Sequence, residues 1–330
     1  MACTLVIRFS AMGDVAITVP VLYSVAMRYP NDKFILLTKS NFQSIFINTP
    51  DNVEIFAAHT KGKHKGIRGM MKLINELNKK EIDYVADLHQ VLRSLEIDCY
   101  FKLKGKKVAV INKGRADKKA LTRKYNKKLI PLKTSIERYQ KVFRNLGYDS
   151  SLNFSSLFDD KEEKDEIFVG IAPLAKHAGK IYPLEKMEEV IRLLLEKTSV
   201  KIFLFGGKNE RACLENLGNK HERVELIAGE LSFYEEFLLM NSLDVMLSMD
   251  SANMHLASLV NTPVISIWGA THPYAGFYGY NQDKDNAVQA DMPCRPCSVF
   301  GNKPCRYGSY ECLNQINPEI IVKKIMNIIN

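Results

Sequence analysis

The feature that most constrains this chain is an apolar triplet that runs into a small-residue turn and then into a helix pattern. Leu5-Val6-Ile7 reads as the first strand of a buried sheet, and Ala16 to Met27 reads as a helix. Between them lies Arg8-Phe9-Ser10-Ala11-Met12-Gly13-Asp14-Val15. This places Asp14 where a strand ends and a helix begins, in the crevice where open α/β sheets bind their ligands. A carboxylate there can act as a general base on a hydroxyl. The plainer alternative is an Asp that caps the helix.

The same alternation runs along the chain. Strands are expected at 4–9, 33–38, 83–88, 106–111, 167–172, 200–206, 223–228, 243–248 and 263–268. Helices are expected at 15–29, 40–47, 66–80, 90–102, 134–146, 184–197, 209–218, 232–240, 251–260 and 317–329. Short apolar strands alternating with helices argue for parallel, doubly wound α/β sheets. The 330 residues are enough for two such cores. The charged stretch 159–165 has no strand pattern and reads as part of a linker. The expected domains are therefore 1–158 and 166–330, each Rossmann-like, with the site in a central cleft between them.

No run of 18 apolar residues suggests a transmembrane helix, and no signal peptide is visible, so the expected compartment is the cytoplasm. Charge is unevenly divided: residues 1–150 carry 28 Lys and Arg against 13 Asp and Glu, while residues 151–330 carry 18 against 24. The densest basic block runs from Lys102 to Lys128. A second cluster, Lys61, Lys63, His64, Lys65 and Arg68, lies in a Gly-punctuated loop. Such clusters read as a solvated face or as a site for an anionic membrane or phosphorylated glycolipid. Nucleic acid is disfavoured, because no zinc-finger spacing, RNP-like aromatic motif or basic heptad helix accompanies them.

Dinucleotide oxidoreductases and P-loop phosphotransferases also use such sheets. The first turn, Ser10-Ala11-Met12-Gly13-Asp14, has one glycine and lacks Gly-x-Gly-x-x-Gly, and no Gly-x-x-x-x-Gly-Lys-Ser/Thr occurs. Instead, the second half repeats strand, polar turn and helix at Val245 to Ala257, with Asp250-Ser251-Ala252-Asn253-Met254-His255-Leu256-Ala257. Thr262-Pro263-Val264 then leads to Gly269-Ala270-Thr271-His272-Pro273, and Lys180-Ile181-Tyr182-Pro183 opens an earlier helix. With the N-terminal Arg8 to Asp14 turn, these motifs resemble glycosyltransferase family 9, the lipopolysaccharide heptosyltransferases, over nearly the whole chain.

The resemblance implies a GT-B fold and inverting transfer from a nucleotide sugar, with Asp14 as the catalytic base. It implies that Lys180, Asp250, Ser251, Ala252, His255 and Thr271 contact or order the donor, and that Glu210 is an acidic ribose ligand. Ala252 stands where the family has Gly, and Tyr182 where Trp is more usual. Ser251 is equally readable as a helix cap, and His255 as a packed core residue. The acceptor implied is a phosphorylated inner-core glycolipid of the Kdo-lipid A type, held by the first domain. Candidate contacts for it are Arg8, Lys61, Lys63, Lys65, Arg68 and Arg93, with Arg8 alternatively an ion-pair partner.

Four of seven cysteines, Cys294, Cys297, Cys305 and Cys312, crowd into the segment 294–312, ahead of a terminal helix. Four thiols within 19 residues could form a structural zinc or iron site, stay reduced, or pair as disulfides. Cys3, Cys99 and Cys213 are scattered and read as plain buried residues. No cofactor is expected for catalysis, since Asp250 is not part of an Asp-x-Asp pair that would hold a divalent cation. The expected function is transfer of heptose from ADP-heptose to the lipopolysaccharide inner core, by a peripheral protein at the cytoplasmic face of the inner membrane. The alternatives are the same fold with another nucleotide sugar or acceptor, or a non-catalytic nucleotide- or carbohydrate-binding module.

Overall fold

The computed structural model describes residues 1–161 and 164–330, so Glu162 and Glu163 of the expected linker lie outside the described residues. The chain forms two compact units. The first comprises Met1–Lys113 and Ser135–Ser155, the second Gly114–Thr134 and Ser156–Asn330.

In the first unit, β1 (Cys3–Ile7), α1 (Met12–Ala16), α2 (Thr18–Arg28), β2 (Lys33–Lys39), β3 (Val53–Ala58), α3 (Gly66–Asn78), β4 (Tyr84–Asp87), α4 (Leu92–Leu103) and β5 (Lys107–Val110) follow in order. The chain then leaves through α5 (Arg115–Thr122), which belongs to the second unit, and returns with α6 (Ser135–Leu146). The five strands are parallel, in the order β3-β2-β1-β4-β5. β1 is the central strand, and Leu5, Val6 and Ile7 are fully buried, as expected when both faces of a parallel sheet are covered. Leu5, Ile7, Ile35, Leu37 and Val85 join Leu73, Ile97 and Phe101 in one core. Truncating such a residue to Ala costs about 2–5 kcal/mol.

The second unit runs β6 (Phe168–Ala172), α7 (Leu184–Lys197), β7 (Lys201–Leu204), α8 (Arg211–Gly218), β8 (Val224–Leu226), α9 (Phe233–Ser242), β9 (Val245–Met249), α10 (Ala252–Leu259), β10 (Val264–Trp268), β11 (Ala287–Gln289), α11 (Glu311–Asn314) and α12 (Pro318–Ile329). Its six parallel strands are ordered β11-β10-β9-β6-β7-β8. Counted from the unit's own first strand, this is 3-2-1-4-5-6, the order of doubly wound nucleotide-binding sheets. The order reverses between β1 and β4 in the first sheet and between β6 and β9 in the second. Those two switch points are where a ligand crevice forms.

Several expectations are corrected in detail. The helix expected at 15–29 is two helices, broken at Ile17. Pro20 lacks an N–H and its ring crowds the carbonyl four residues back, so α1 cannot run on and a new helix starts at Thr18. Residues 40–45 form a 3₁₀ helix. The strand β3 was hidden by a charged residue, Glu54, which bridges Lys33 and Lys80 on this edge strand. The helix α5 was hidden inside the basic block. Cys99 and Cys213 are exposed on α4 and α8 and Cys3 is half-buried, so none of the three is a plain core residue.

The excursion of 114–134 also redistributes charge. It carries eight Lys and Arg against one acid, leaving the first unit with 20 cations against 12 acids and the second nearly balanced at 26 against 25.

Candidate functional site

In the first unit, the switch point is built from the ends of β1 and β4. Arg8 follows β1 directly and is buried. Its Nη2 stands 2.6 Å from Asp14 Oδ2, its Nη1 donates to Leu88 O at 2.6 Å, and its guanidinium lies over the Tyr139 ring. Arg8 is thus an ion-pair partner of Asp14, its charge committed within the unit. Asp14 is the third residue of α1, whose N-cap is Ala11, so the capping alternative fails. Its side chain stays 27% exposed, enough for a substrate hydroxyl to reach it. Tyr139 Oη donates to Asp14 O at 3.1 Å and braces the same turn from α6.

Sequence reasoning missed His89. It sits just past β4, with Nδ1 accepting from Phe9 N–H at 3.3 Å. Burial drives its imidazole down to about 3, with Arg8 and Lys113 adding to the effect and Asp14 opposing it, so the ring is neutral. The turn that carries His89 is held by Asp87, whose carboxylate accepts from the N–H groups of His89 and Gln90 and from Ser94 Oγ. Behind it lies Asp98, buried, whose pKa is raised by desolvation and by the Asp87 carboxylate. The signal was present as Asp-x-His at a strand end, but nothing local pointed it toward Asp14.

In the second unit, the switch point joins the segment after β6 to the turn after β9. Lys180 Nζ lies 2.8 Å from Asp250 Oδ2 and donates to Asp250 O at 3.0 Å. Both side chains are mostly buried. Ser251 precedes α10 but its side chain does not cap the helix; its Oγ lies 3.2 Å from Ser248 Oγ. Ala252 is the first residue of α10 and His255 is buried within it. Thr271 is buried at the turn after β10, and its Oγ1 has no hydrogen-bond partner among the described residues. Ala270 N–H donates to Gly179 O at 2.8 Å, which sets the 269–271 turn against the Lys180 segment.

The cysteine segment turns out to brace this site. Arg295 is buried and its guanidinium donates to Gly269 O, Trp268 O, Thr271 O and Ala290 O and to Gln289 Oε1. Lys127, from the 114–134 excursion, donates to the carbonyls of Cys294, Arg295 and Pro296 at 2.8, 2.8 and 3.0 Å. The backbone N–H groups of Cys297 and Ser298 donate to Ala270 O. Gly301 adopts φ +74°, and a Cβ there would lie 2.6 Å from Lys180 Cγ, so only glycine lets the loop close over the lysine stem. Cys294, Cys297, Cys305 and Cys312 are free thiols, so the disulfide alternative fails. Among the described residues no three His, Cys, Asp or Glu side chains converge closely enough to hold a metal ion, although burial and the neighbouring thiols Cys294 and Cys305 together raise the Cys297 pKa.

The remaining candidates are dispersed. Glu210 Oε2 accepts from Gly207 N–H at 2.7 Å and so closes its own loop. Lys63 pairs with Glu76 at 3.1 Å, and Arg93 Nη1 donates to His64 O at 3.1 Å. Lys61, Lys65 and Arg68 are exposed at and before the start of α3. Among the described residues no helix is long and apolar enough to cross a membrane.

The structure aligns with a glycosyltransferase family 9 protein from Veillonella parvula at a TM-score of 0.78 and 16% identity, over 99% of this chain and 97% of that one. It also aligns with the E. coli heptosyltransferase WaaC bound to ADP at a TM-score of 0.71 and 19% identity, over 98% and 99%. The fold is therefore of the GT-B type. The family profile "Glycosyltransferase family 9 (heptosyltransferase)" matches residues 70–310, and the chain belongs to that family. Lipopolysaccharide heptosyltransferase 3 of Escherichia coli is 25% identical over 279 residues, covering 78% of this chain and 81% of that protein. Lipopolysaccharide heptosyltransferase 1 of Campylobacter coli is 24% identical over 310 residues, covering 84% and 87%.

Proposed function

We propose that this enzyme transfers heptose from ADP-heptose to a phosphorylated inner-core glycolipid of the Kdo-lipid A type, with inversion, at the cytoplasmic face of the inner membrane. The observation that carries this reading is the pair of charged couples, Arg8 with Asp14 and Lys180 with Asp250, one at each switch point. The family membership and the names of the relatives supply the sugar and the acceptor class.

Arg8 holds Asp14 Oδ2, and the second carboxylate oxygen takes the proton of the acceptor hydroxyl. The hydroxyl oxygen then attacks the anomeric carbon, and the bond from that carbon to the β-phosphate oxygen breaks. A single displacement inverts the configuration, and ADP leaves with the electron pair. Lys180 moves from Asp250 to the departing diphosphate and lowers the barrier electrostatically. The uncapped first turn of α10, after Asp250 and Ser251, adds helix-terminal N–H donors, and Thr271 Oγ1 a further hydroxyl. His255 orders the α10 side, and Glu210 takes the ribose hydroxyls by exchanging its Gly207 contact. Lys61, Lys65 and Arg68 receive the acceptor's anionic groups, with Lys63 and Arg93 shaping that loop. No step is routed through a metal; elemental analysis of the purified protein tests the zinc or iron reading of the four thiols.

The test is ADP release from ADP-heptose in the presence of a Kdo-bearing lipid A acceptor, with Asp14→Ala as control. Acceptor-dependent release that disappears in the variant is the expected result. Release with another nucleotide sugar alone would overturn the donor assignment, and absence of both release and donor binding would leave only the fold.

A further inference from the structure

The outward face of α3 and α4 combines two properties that rarely share a surface. On α3, Gly69, Met70, Leu73 and Leu77 face the core, while Ile67 and Met71, one turn apart, are 82% and 61% exposed. Arg68 and Lys72 are exposed beside them at the same spacing. On α4, Leu92 is 82% exposed, Leu95 is partly so, and Leu103 at the far end is 89% exposed, flanked by Lys102 and Lys104. The two helices pack together, and Arg93 Nη1 donates to His64 O, which brings the start of α4 to the loop that opens α3. A shallow hollow of about 490 Å³ on α3 is lined by Arg68, Met71, Lys72, Asn75, Glu76 and Lys79. Glu76 already pairs with Lys63 and His64, and Glu96 is the exposed acid on α4.

Scattered exposed leucines need no explanation, but long aliphatic side chains ringed by cations are the chemistry of an interface with acyl chains below and phosphates above. The unit that carries this face is also the one with the excess of positive charge. We infer that the α3–α4 face is a docking surface for an anionic lipid bilayer, with Ile67, Met71, Leu92 and Leu95 entering the headgroup–acyl boundary and Lys72 and Lys79 meeting lipid phosphates. The inference rests on the proposed glycolipid acceptor, which it would bring within reach of the enzyme, and names a second partner of the same unit: the bulk membrane.

The experiment is sedimentation with vesicles that contain no acceptor: phosphatidylethanolamine with 30% phosphatidylglycerol, against pure phosphatidylcholine. The expected result is binding at least tenfold stronger to the anionic vesicles, weakening as salt is raised. An Ile67→Ser/Met71→Ser/Leu92→Ser variant, and separately a Lys72→Glu/Lys79→Glu variant, should each lose at least tenfold. Both should keep wild-type turnover on a delipidated, water-soluble acceptor. No binding to anionic vesicles, undiminished binding by either variant, or binding only when the glycolipid acceptor is present would overturn the docking surface. Lost turnover on the soluble acceptor by wild-type protein, with vesicle binding intact, would instead overturn the proposed reaction and leave the surface standing.

Discussion

Lys180 Nζ lies 2.8 Å from Asp250 Oδ2, so one ammonium ties the segment after β6 to the turn after β9. Arg8 and Asp14 repeat the arrangement at the end of β1, at 2.6 Å. In each unit a cation restrains an acid at the point where the strand order reverses.

Removing that cation should have two separable effects. Lys180→Met leaves the buried Asp250 carboxylate without its partner, a loss of about 3–5 kcal/mol, and should lower turnover by about 10²–10³-fold. Adding Asp250→Asn should restore most of the thermal stability without restoring turnover. If the double variant recovers both, Lys180 serves the fold alone.

Asp14→Asn should cut kcat by about 10²–10⁴-fold, the usual contribution of a positioned base. Binding of ADP-heptose, followed by calorimetry, should persist, because Asp14 belongs to the first unit and the proposed donor residues to the second. Near wild-type kcat would place the base elsewhere.

Arg295→Lys replaces a five-donor fork with a single ammonium at a site built of carbonyls. Denaturant unfolding should show a loss of about 3 kcal/mol, since several buried carbonyls lose their partner. The donor KM should rise, because the 269–271 turn is anchored by that fork. A variant as stable as the parent would refute the bracing role.

His89 makes acid unfolding steeper. Its native pKa is held down to about 3 by burial, against 6.5 for a free imidazole. Between those values the unfolded chain binds the extra proton, so stability falls as pH drops from about 6.5 toward 3, by at most about 1.4 kcal/mol per pH unit. His272, lowered to about 4 chiefly by burial, acts in the same direction. His89→Asn keeps an acceptor for the Phe9 N–H and removes the titration. Melting temperatures at pH 7 and pH 5 should lie closer together in this variant than in the parent.

The parts of the site legible in the sequence were those written into a strand end and the turn after it. Asp14, Lys180 and Asp250 each stand in such a turn, and α7 runs over the very residues, 184–197, that its pattern indicated. Arg295 was illegible because most of its acceptors lie 24 to 27 residues earlier, at the end of β10. His89 was illegible for a like reason, since its ring is fixed by Phe9, 80 residues away. The lysines before α3 are exposed, as either reading of that cluster required, and Ile67 and Met71 lie within the helix expected at 66–80, whose spare face only the packing shows. Leu121 shows the deepest limit: it is buried and belongs to the second unit, yet it stands in a basic block where no helix was expected.

The excursion of residues 114–134 bears on the order in which the molecule can be made. A ribosome delivers this segment long before the second unit that receives it, and the carbonyls that Lys127 grips emerge about 170 residues later. The first unit can gather α6 and finish its own sheet while the segment waits, its apolar residues uncovered, for a core that does not yet exist. No single cut of the polypeptide yields two self-sufficient halves: a nascent chain stopped after residue 158 carries a piece of the other unit.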